Sequence, residues 1–218
     1  MKTYWIIGGG QFGLKAAQTI RTQEPTANIL IVEKDHRICE KIEKLGFETE
    51  CGEGIRYLTH NLVDEDYPDW IIPAIPLHVA FEWIQSKLSK KYETQVISIS
   101  DELETQLPHP MRGNKGQLYI SNADFICPDD CSEPKEICTY TGEPRPRILN
   151  SFLEKIRYND FRSVVVCSRQ LFPGVGGYTP EVLFQALEAI KTEHRPVLLS
   201  TACYCHGVVH AFRISPPS

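Results

Sequence analysis

Apolar residues in the first hundred positions follow two alternating rhythms. Tyr4-Trp5-Ile6-Ile7, Ile29-Leu30-Ile31-Val32 and Trp70-Ile71-Ile72 are short continuous runs, the pattern of strands buried on both faces of a parallel sheet. Between and after them, apolar residues recur every three or four positions over Leu14–Ile20, Cys39–Leu45 and Leu77–Leu88, which predicts helices. A fifth strand is predicted at Gln95-Val96-Ile97-Ser98-Ile99. From residue 101 to 148 the periodicity is lost among Pro108, Pro110, Gly113, Gly116, Pro128, Pro134, Gly142, Pro144 and Pro146, so a long irregular insertion or lid is expected. Regular structure then returns. Ser163–Cys167 reads as a strand, and Thr179-Pro180-Glu181 opens a helix with an N-cap, a proline at N1 and an acid in the first turn. Pro196–Ser200 reads as the next strand and Gly207–Ile214 as a return strand at an edge. The fold class expected is α/β: a Rossmann-like, mostly parallel sheet over residues 1–100, a cysteine-bearing insertion over 101–148, and a C-terminal βαβ unit over 149–218 that completes the sheet.

Composition narrows the function classes. The chain has 218 residues, 42% of them hydrophobic and 23% charged, which suits a globular protein with a sizeable core. A net charge of −5 repels a phosphate backbone, so nucleic acid is not an expected partner. The longest apolar stretch, Trp70 to Ile84, runs 15 residues and is broken by Pro73, Pro76, His78 and Glu82, too short and too polar to span a bilayer. The start, Met1–Ile7, turns into glycine too soon for a secretory leader, so a cytoplasmic protein is expected. In a reducing compartment eight cysteines point to metal or redox chemistry rather than structural disulfides.

The first strand runs into Gly8-Gly9-Gly10-Gln11-Phe12-Gly13 and then a helix, the G-x-G-x-x-G pattern in its strand–turn–helix setting. Gly8 allows the sharp turn, Gly10 lets backbone approach a pyrophosphate, and Gly13 lets helix and strand pack closely. The phosphates then meet unpaired N–H groups at a helix N-terminus, contributed by Gln11, Phe12 and Gly13. The second strand ends in Glu33, 20 residues after Gly13, where a carboxylate accepts ribose hydroxyls and repels a 2′-phosphate; NAD is therefore expected over NADP, with Lys34 beside it weakening the preference. These residues, with Ile31-Val32-Glu33-Lys34-Asp35 and Gly46-Phe47-Glu48-Thr49-Glu50-Cys51-Gly52-Glu53-Gly54, resemble the NAD-binding domain of potassium-uptake regulators, the TrkA N-terminal type, over roughly residues 4–80. The resemblance implies that Glu53 stands near the adenosine, in the place of the Asp in that family's Gly-Asp-Ala turn. It implies nucleotide binding rather than potassium regulation, and nothing downstream resembles those regulators' appended ligand domain.

Candidate chemistry lies elsewhere on the same face. His78 begins a helix beyond the fourth strand and is a candidate acid or base, or an ordinary first-turn histidine. Ser168 to Gly177 is glycine-rich ahead of a helix, so Arg169 is a candidate anion ligand, the alternative being a turn whose glycines serve conformation only. Cys127, Cys131 and Cys138 form a C-x3-C-x6-C arrangement in proline-bearing chain, and Cys203 is the candidate fourth ligand, with Cys205, Cys167 and His206 as alternatives. The group expected is an iron–sulfur cluster or zinc; a thiol redox pair and incidental cysteines are the competing readings. Cys39 and Cys51 are expected to be small buried hydrophobes. The leading function is an NAD(H)-dependent oxidoreductase acting on a small anionic substrate. The runner-up is a non-catalytic nucleotide or redox sensor that changes its oligomeric state, with the cysteines as structural or sensing elements.

Overall fold

The structure is a computed structural model that describes residues 1–63, 67–89 and 91–216. Its N-terminal part runs β1 (Thr3–Ile7), α1 (Gln11–Gln23), β2 (Asn28–Glu33), α2 (His36–Lys44), β3 (Glu48–Cys51), α3 (Gly54–Asn61), β4 (Trp70–Pro73) and α4 (Val79–Leu88). The strands form a parallel sheet in the order β3-β2-β1-β4, the Rossmann-like arrangement expected from the apolar runs. In α1 the buried residues Gly13, Ala16, Ala17 and Ile20 fall at helical spacing on the face toward the sheet. That helix stops at Glu24, where Pro25 disfavours a further helical turn. Asp35 caps α2 by accepting a bond from Arg37 N, and Gly46 at φ +78 ends it.

The remainder comprises β5 (Glu93–Ile97), α5 (Asp101–Glu104), β6 (Met111–Arg112), β7 (Leu118–Ser121), α6 (Leu149–Lys155), β8 (Arg162–Cys167), β9 (Arg169–Phe172), β10 (Val175–Gly177), α7 (Pro180–Lys191), β11 (Val197–Ala202) and β12 (His206–Ser215). The C-terminal βαβ unit is present, with β8 and β11 parallel. Its place corrects the expectation that it completes the first sheet. It lies in a second, mixed sheet of order β6-β7-β12-β11-β8, in which β5 also pairs with β12. The ten-residue β12 makes this possible: one edge pairs along β11, while the other is shared between β7 and β5. The predicted fifth strand is thus part of the second sheet. The insertion is irregular only from residue 122 onward, because α5, β6 and β7 occupy its first part.

The two sheets share a core. Ile7, Val32 and Ile71 of the first meet Val166, Leu199 and Phe212 of the second through Trp83 and Ile84 of α4 and Leu183 and Ile190 of α7. The outer edge of β4 is bonded to Tyr178, by Ile71 N to Tyr178 O at 2.9 Å and the reverse at 3.0 Å, so the β9–β10 hairpin is tied to the Rossmann sheet. Gly177 makes that approach feasible, since a Cβ there would lie 2.7 Å from Ile71 O. The glycine-rich segment Ser168–Gly177 is therefore a β-hairpin docked on a sheet edge. Cys39 and Cys51 also depart from expectation: they form a disulfide joining α2 to β3, with Cα atoms 6.2 Å apart.

Candidate functional site

Two cavities collect the residues of interest. The first is a cleft of about 490 Å³ at the carboxyl ends of β1, β2 and β4, bounded by Gly8, Gly10, Glu33, Glu53 and the Ala74–Leu77 wall. Gly8 sits at φ +110, and a side chain there would run into Ala74 O at 2.7 Å. A Cβ on Gly13 would lie 1.8 Å from Gly8 O, whereas one on Gly10 would meet nothing within 4 Å. The motif's glycines thus divide as their spacing predicts, two for close packing and one facing open cleft. Gly10 caps α1 with no side-chain partner, so the first N–H groups of that helix are left for a ligand, a donor set suited to phosphate. Glu33 is oriented by bonds from Gly9 N at 2.7 Å and Asp35 N at 2.9 Å, one to each carboxylate oxygen. Glu53 caps α3 by accepting from Ile55 N and Arg56 N while it lines the cleft. Gln11 and Phe12 occupy the first two positions of α1 and are exposed, Phe12 by 66%. Lys115, from the β6–β7 turn, closes the cleft from the second sheet; nothing in the local pattern of the chain marks it.

The second site is a cavity of about 130 Å³ under the irregular part of the insertion. Cys127, Cys131, Cys138 and Cys203 all line it, as does Cys205, together with His206 and Glu133. Its floor is the turn between β11 and β12, where His206 N donates to Cys203 Sγ at 3.3 Å and Cys203 N to His206 O at 3.0 Å. Its lid is held by backbone: Cys131 O accepts from Gln170 Nε2 at 2.6 Å and from Gly174 N at 3.2 Å. Lys15, on α1, reaches Asp129 O at 3.3 Å, so the lid also touches the helix that begins at the glycine loop. Burial pushes the Cys127 thiol up, and its neighbours Cys205, Cys131 and Cys138 add to the shift. Burial also raises Cys205 against the pull of Arg145, raises Cys203 with help from Glu133, and lowers His206. Cys138 moves the other way, lowered first by a backbone hydrogen bond at Thr141. Among the described residues, Glu133, Cys203 and His206 each bring one ligand atom within 4.8 Å of the others, a group able to hold a metal ion, and Arg145 lines the same cavity.

Three sequence-marked residues are placed elsewhere. His78 is 2% exposed and turned toward the second sheet, its Nδ1 2.8 Å from His210 Nδ1 and its Nε2 2.9 Å from Thr201 Oγ1. Burial, then the neighbouring His210, hold its pKa well below the ordinary histidine value. Arg169 lies on β9 beside Cys167, whose Sγ is 3.7 Å from Glu154 Oε1. Neither His78, Arg169 nor Cys167 borders the cleft or the thiol cavity. Glu133 escaped sequence reading, although its position two residues after Cys131 was a usable signal.

Among the described residues no helix is long and apolar enough to cross a membrane. Residues 4–80 match the TrkA-N domain, which carries a nucleotide-binding Rossmann-type fold. An uncharacterized protein of Archaeoglobus fulgidus is 29% identical over 222 residues, covering 95% of this chain and 98% of that protein. No solved structure matches the chain. Residues 80–215, carrying the second sheet and the thiol cavity, match a second family, and by that match the chain belongs to the family described as "Uncharacterized protein, C-terminal domain".

Proposed function

We propose that this protein is an NAD(H)-binding sensor whose second site holds a zinc ion or an iron–sulfur cluster, with Cys127, Cys131 and Cys138 among its ligands and the fourth drawn from the Cys203–His206 turn. One observation carries the reading: the two cavities meet on one helix. The glycine loop lies at the N-terminus of α1, and the cysteine-bearing lid is held at Lys15, about one turn further along. A nucleotide whose phosphates engage the first turn of α1 bears on the element that the lid rests on. The ribose falls to Glu33, and Lys115 adds a cation to the same cleft lining. The metal, when bound, would supply the folding energy that an irregular, proline-rich segment lacks, and a cluster would add one-electron chemistry.

The sensor is preferred to the oxidoreductase because His78, the expected acid–base group, is bonded to His210 and Thr201 away from the cleft, and Arg169, the expected anion-binding group, does not line it. The oxidoreductase keeps one supporting observation, the same Lys15 contact, which puts a potential electron carrier beside the nucleotide helix. Calorimetric titration of anaerobically purified protein with NADH, followed by incubation with ferricyanide, separates the two. One NADH bound per chain, with a change in oligomeric state and no sustained oxidation, is the expected result. Sustained oxidation would establish the enzyme, and absence of binding would remove both. In the same titration Glu33→Ala should weaken NADH binding about tenfold or more, the cost of roughly one charge-assisted hydrogen bond.

A further inference from the structure

The Cys39–Cys51 disulfide lies beside the nucleotide cleft, and neither the glycine motif nor the thiol cavity accounts for it. We propose that it is a reducible switch on nucleotide affinity: the disulfide holds the end of β3 in its binding geometry, and reduction by a dithiol releases that end and weakens binding. The proposal goes beyond the sensor reading and rests on it only for the nucleotide.

Both halves of the bond are attached to cleft residues. Cys39, on α2, is 1% exposed, and its Sγ lies 3.2 Å from the carbonyl oxygen of Glu33 at the end of β2. Cys51 ends β3 and is followed by Gly52, whose N donates to the same Glu33 O at 2.9 Å. Glu53 comes next, and its carboxylate caps α3 while it lines the cleft with Glu33. One carbonyl therefore connects the disulfide to both acidic residues that line the cleft. A disulfide sulfur carries no proton, whereas a Cys39 thiol at that distance donates to Glu33 O, so a change of redox state is felt at Glu33 itself.

Strand β3 needs such a tie. It is the outer strand of its sheet, four residues long, and Glu48, Glu50 and Cys51 are exposed. An edge strand that buries little apolar surface opens at low cost. The disulfide joins it to α2 across a sequence separation of 12 and limits that opening. Cys51 is also the half that a reductant reaches, since it is exposed and borders a surface cavity of about 290 Å³ with Gly52, Glu53 and Arg56. A thiolate of the dithiol attacks Cys51 Sγ, and Cys39 leaves as a thiolate and takes a proton. The second thiol of the reagent then displaces Cys51 from the mixed disulfide. Two electrons and two protons pass to the protein, and the dithiol ends as a disulfide.

The test titrates the full chain with NADH by calorimetry after equilibration with oxidised or with reduced dithiothreitol. Thiol counting under denaturant should find six free thiols in the first sample and eight in the second. Reduction should weaken NADH binding about fivefold or more, and reoxidation should restore it. Cys51→Ser, which leaves the six other free cysteines in place, should bind as the reduced wild type does and should not respond to dithiothreitol. A disulfide that served stability alone would shift urea unfolding without moving NADH affinity. Equal affinity in the two states therefore overturns the switch and leaves nucleotide binding standing, as do eight thiols in both samples. A response that persists in Cys51→Ser also overturns it, by assigning the effect to the cavity thiols. Absence of NADH binding in both states removes the nucleotide reading as well. Should Cys51→Ser fail to fold, the return of wild-type affinity with the disulfide decides alone.

Discussion

Gly13→Ala is expected to destabilise the protein by at least about 3 kcal/mol, while Gly10→Ala, three residues earlier in the same motif, is expected to leave stability within about 1 kcal/mol of wild type and weaken nucleotide binding about 100-fold. The contrast follows from what an added methyl meets. At Gly13 it would lie 1.8 Å from Gly8 O and 3.3 Å from Ile6 Cγ2. Neither neighbour can retreat, because Gly8 N is bonded to Val32 O at 2.8 Å and Ile6 is fully buried in the sheet. Helix α1 would have to lift from β1, opening the core of Ile6, Ala17, Ile20 and Ile31 beneath it. At Gly10 the backbone has φ −65 and ψ −166, open to any residue, and the methyl meets nothing within 4 Å. The space it fills is the cleft itself, where a pyrophosphate must approach the first N–H groups of α1. A loss of about 100-fold in NADH affinity, roughly 2.7 kcal/mol, is the outcome sought by calorimetry, with urea unfolding as the stability control. Wild-type NADH affinity in Gly10→Ala would move the nucleotide out of this cleft.

The Rossmann half was legible because its strands are buried on both faces. Burial on both sides leaves Ile6-Ile7, Ile31-Val32 and Ile71-Ile72 as unbroken apolar runs, and a pattern of that kind needs no long-range information. Sheet membership does need it. Nothing local to Val164–Val166 or Leu198–Leu199 distinguishes a βαβ unit that extends the first sheet from one that nucleates a second, and the deciding partner, β12, lies at the far end of the chain. Leu118–Ser121 was hidden for a related reason: four residues inside a Gly- and Pro-rich stretch become a strand only because β12 pairs with them. At the sites, the cysteines were readable because thiols are scarce and chemically specific. Arg169 misled because glycines ahead of a helix serve a hairpin as well as an anion loop; Gly174 at φ +74 turns the hairpin, and a Cβ on it would meet Asp129 O. His78 misled because the residue before α4 can face either sheet, and the packing of α4 on β12 decides which.

Where His78 does point has its own consequence: the protein should lose stability steadily between pH 6.5 and pH 4.5. His78 and His210 form a buried pair, and His210 lies flat on Phe81 with ring centroids 4.0 Å apart and an interplanar angle of 6°. Burial holds the His210 pKa down to about 4 and, with His210 as the further cause, holds His78 well below its ordinary value. A histidine depressed in the folded state is neutral there while the unfolded chain, near 6.5, is already taking up protons. The stabilisation is therefore complete above pH 7 and drains as the pH falls from 6.5 toward 4. His210 alone accounts for roughly 2–3 kcal/mol by pH 4.5, and His206, lowered by burial, acts in the same direction. Glu24, Glu181 and Glu193 are all lowered, so their contributions are lost only below about pH 4.5. Urea unfolding across pH 4.5–8 should show the slope, and His210→Phe should flatten it by about one proton while preserving the stack on Phe81. That variant should begin lower at pH 8, by roughly 1–3 kcal/mol, because His78 Nδ1 loses its partner. An unchanged slope in His210→Phe would place the acid sensitivity elsewhere. Since His78 follows directly on Leu77 of the cleft wall, the same protonation acts on the nucleotide site, and NADH binding should weaken over the same interval in the wild type and less so in the variant.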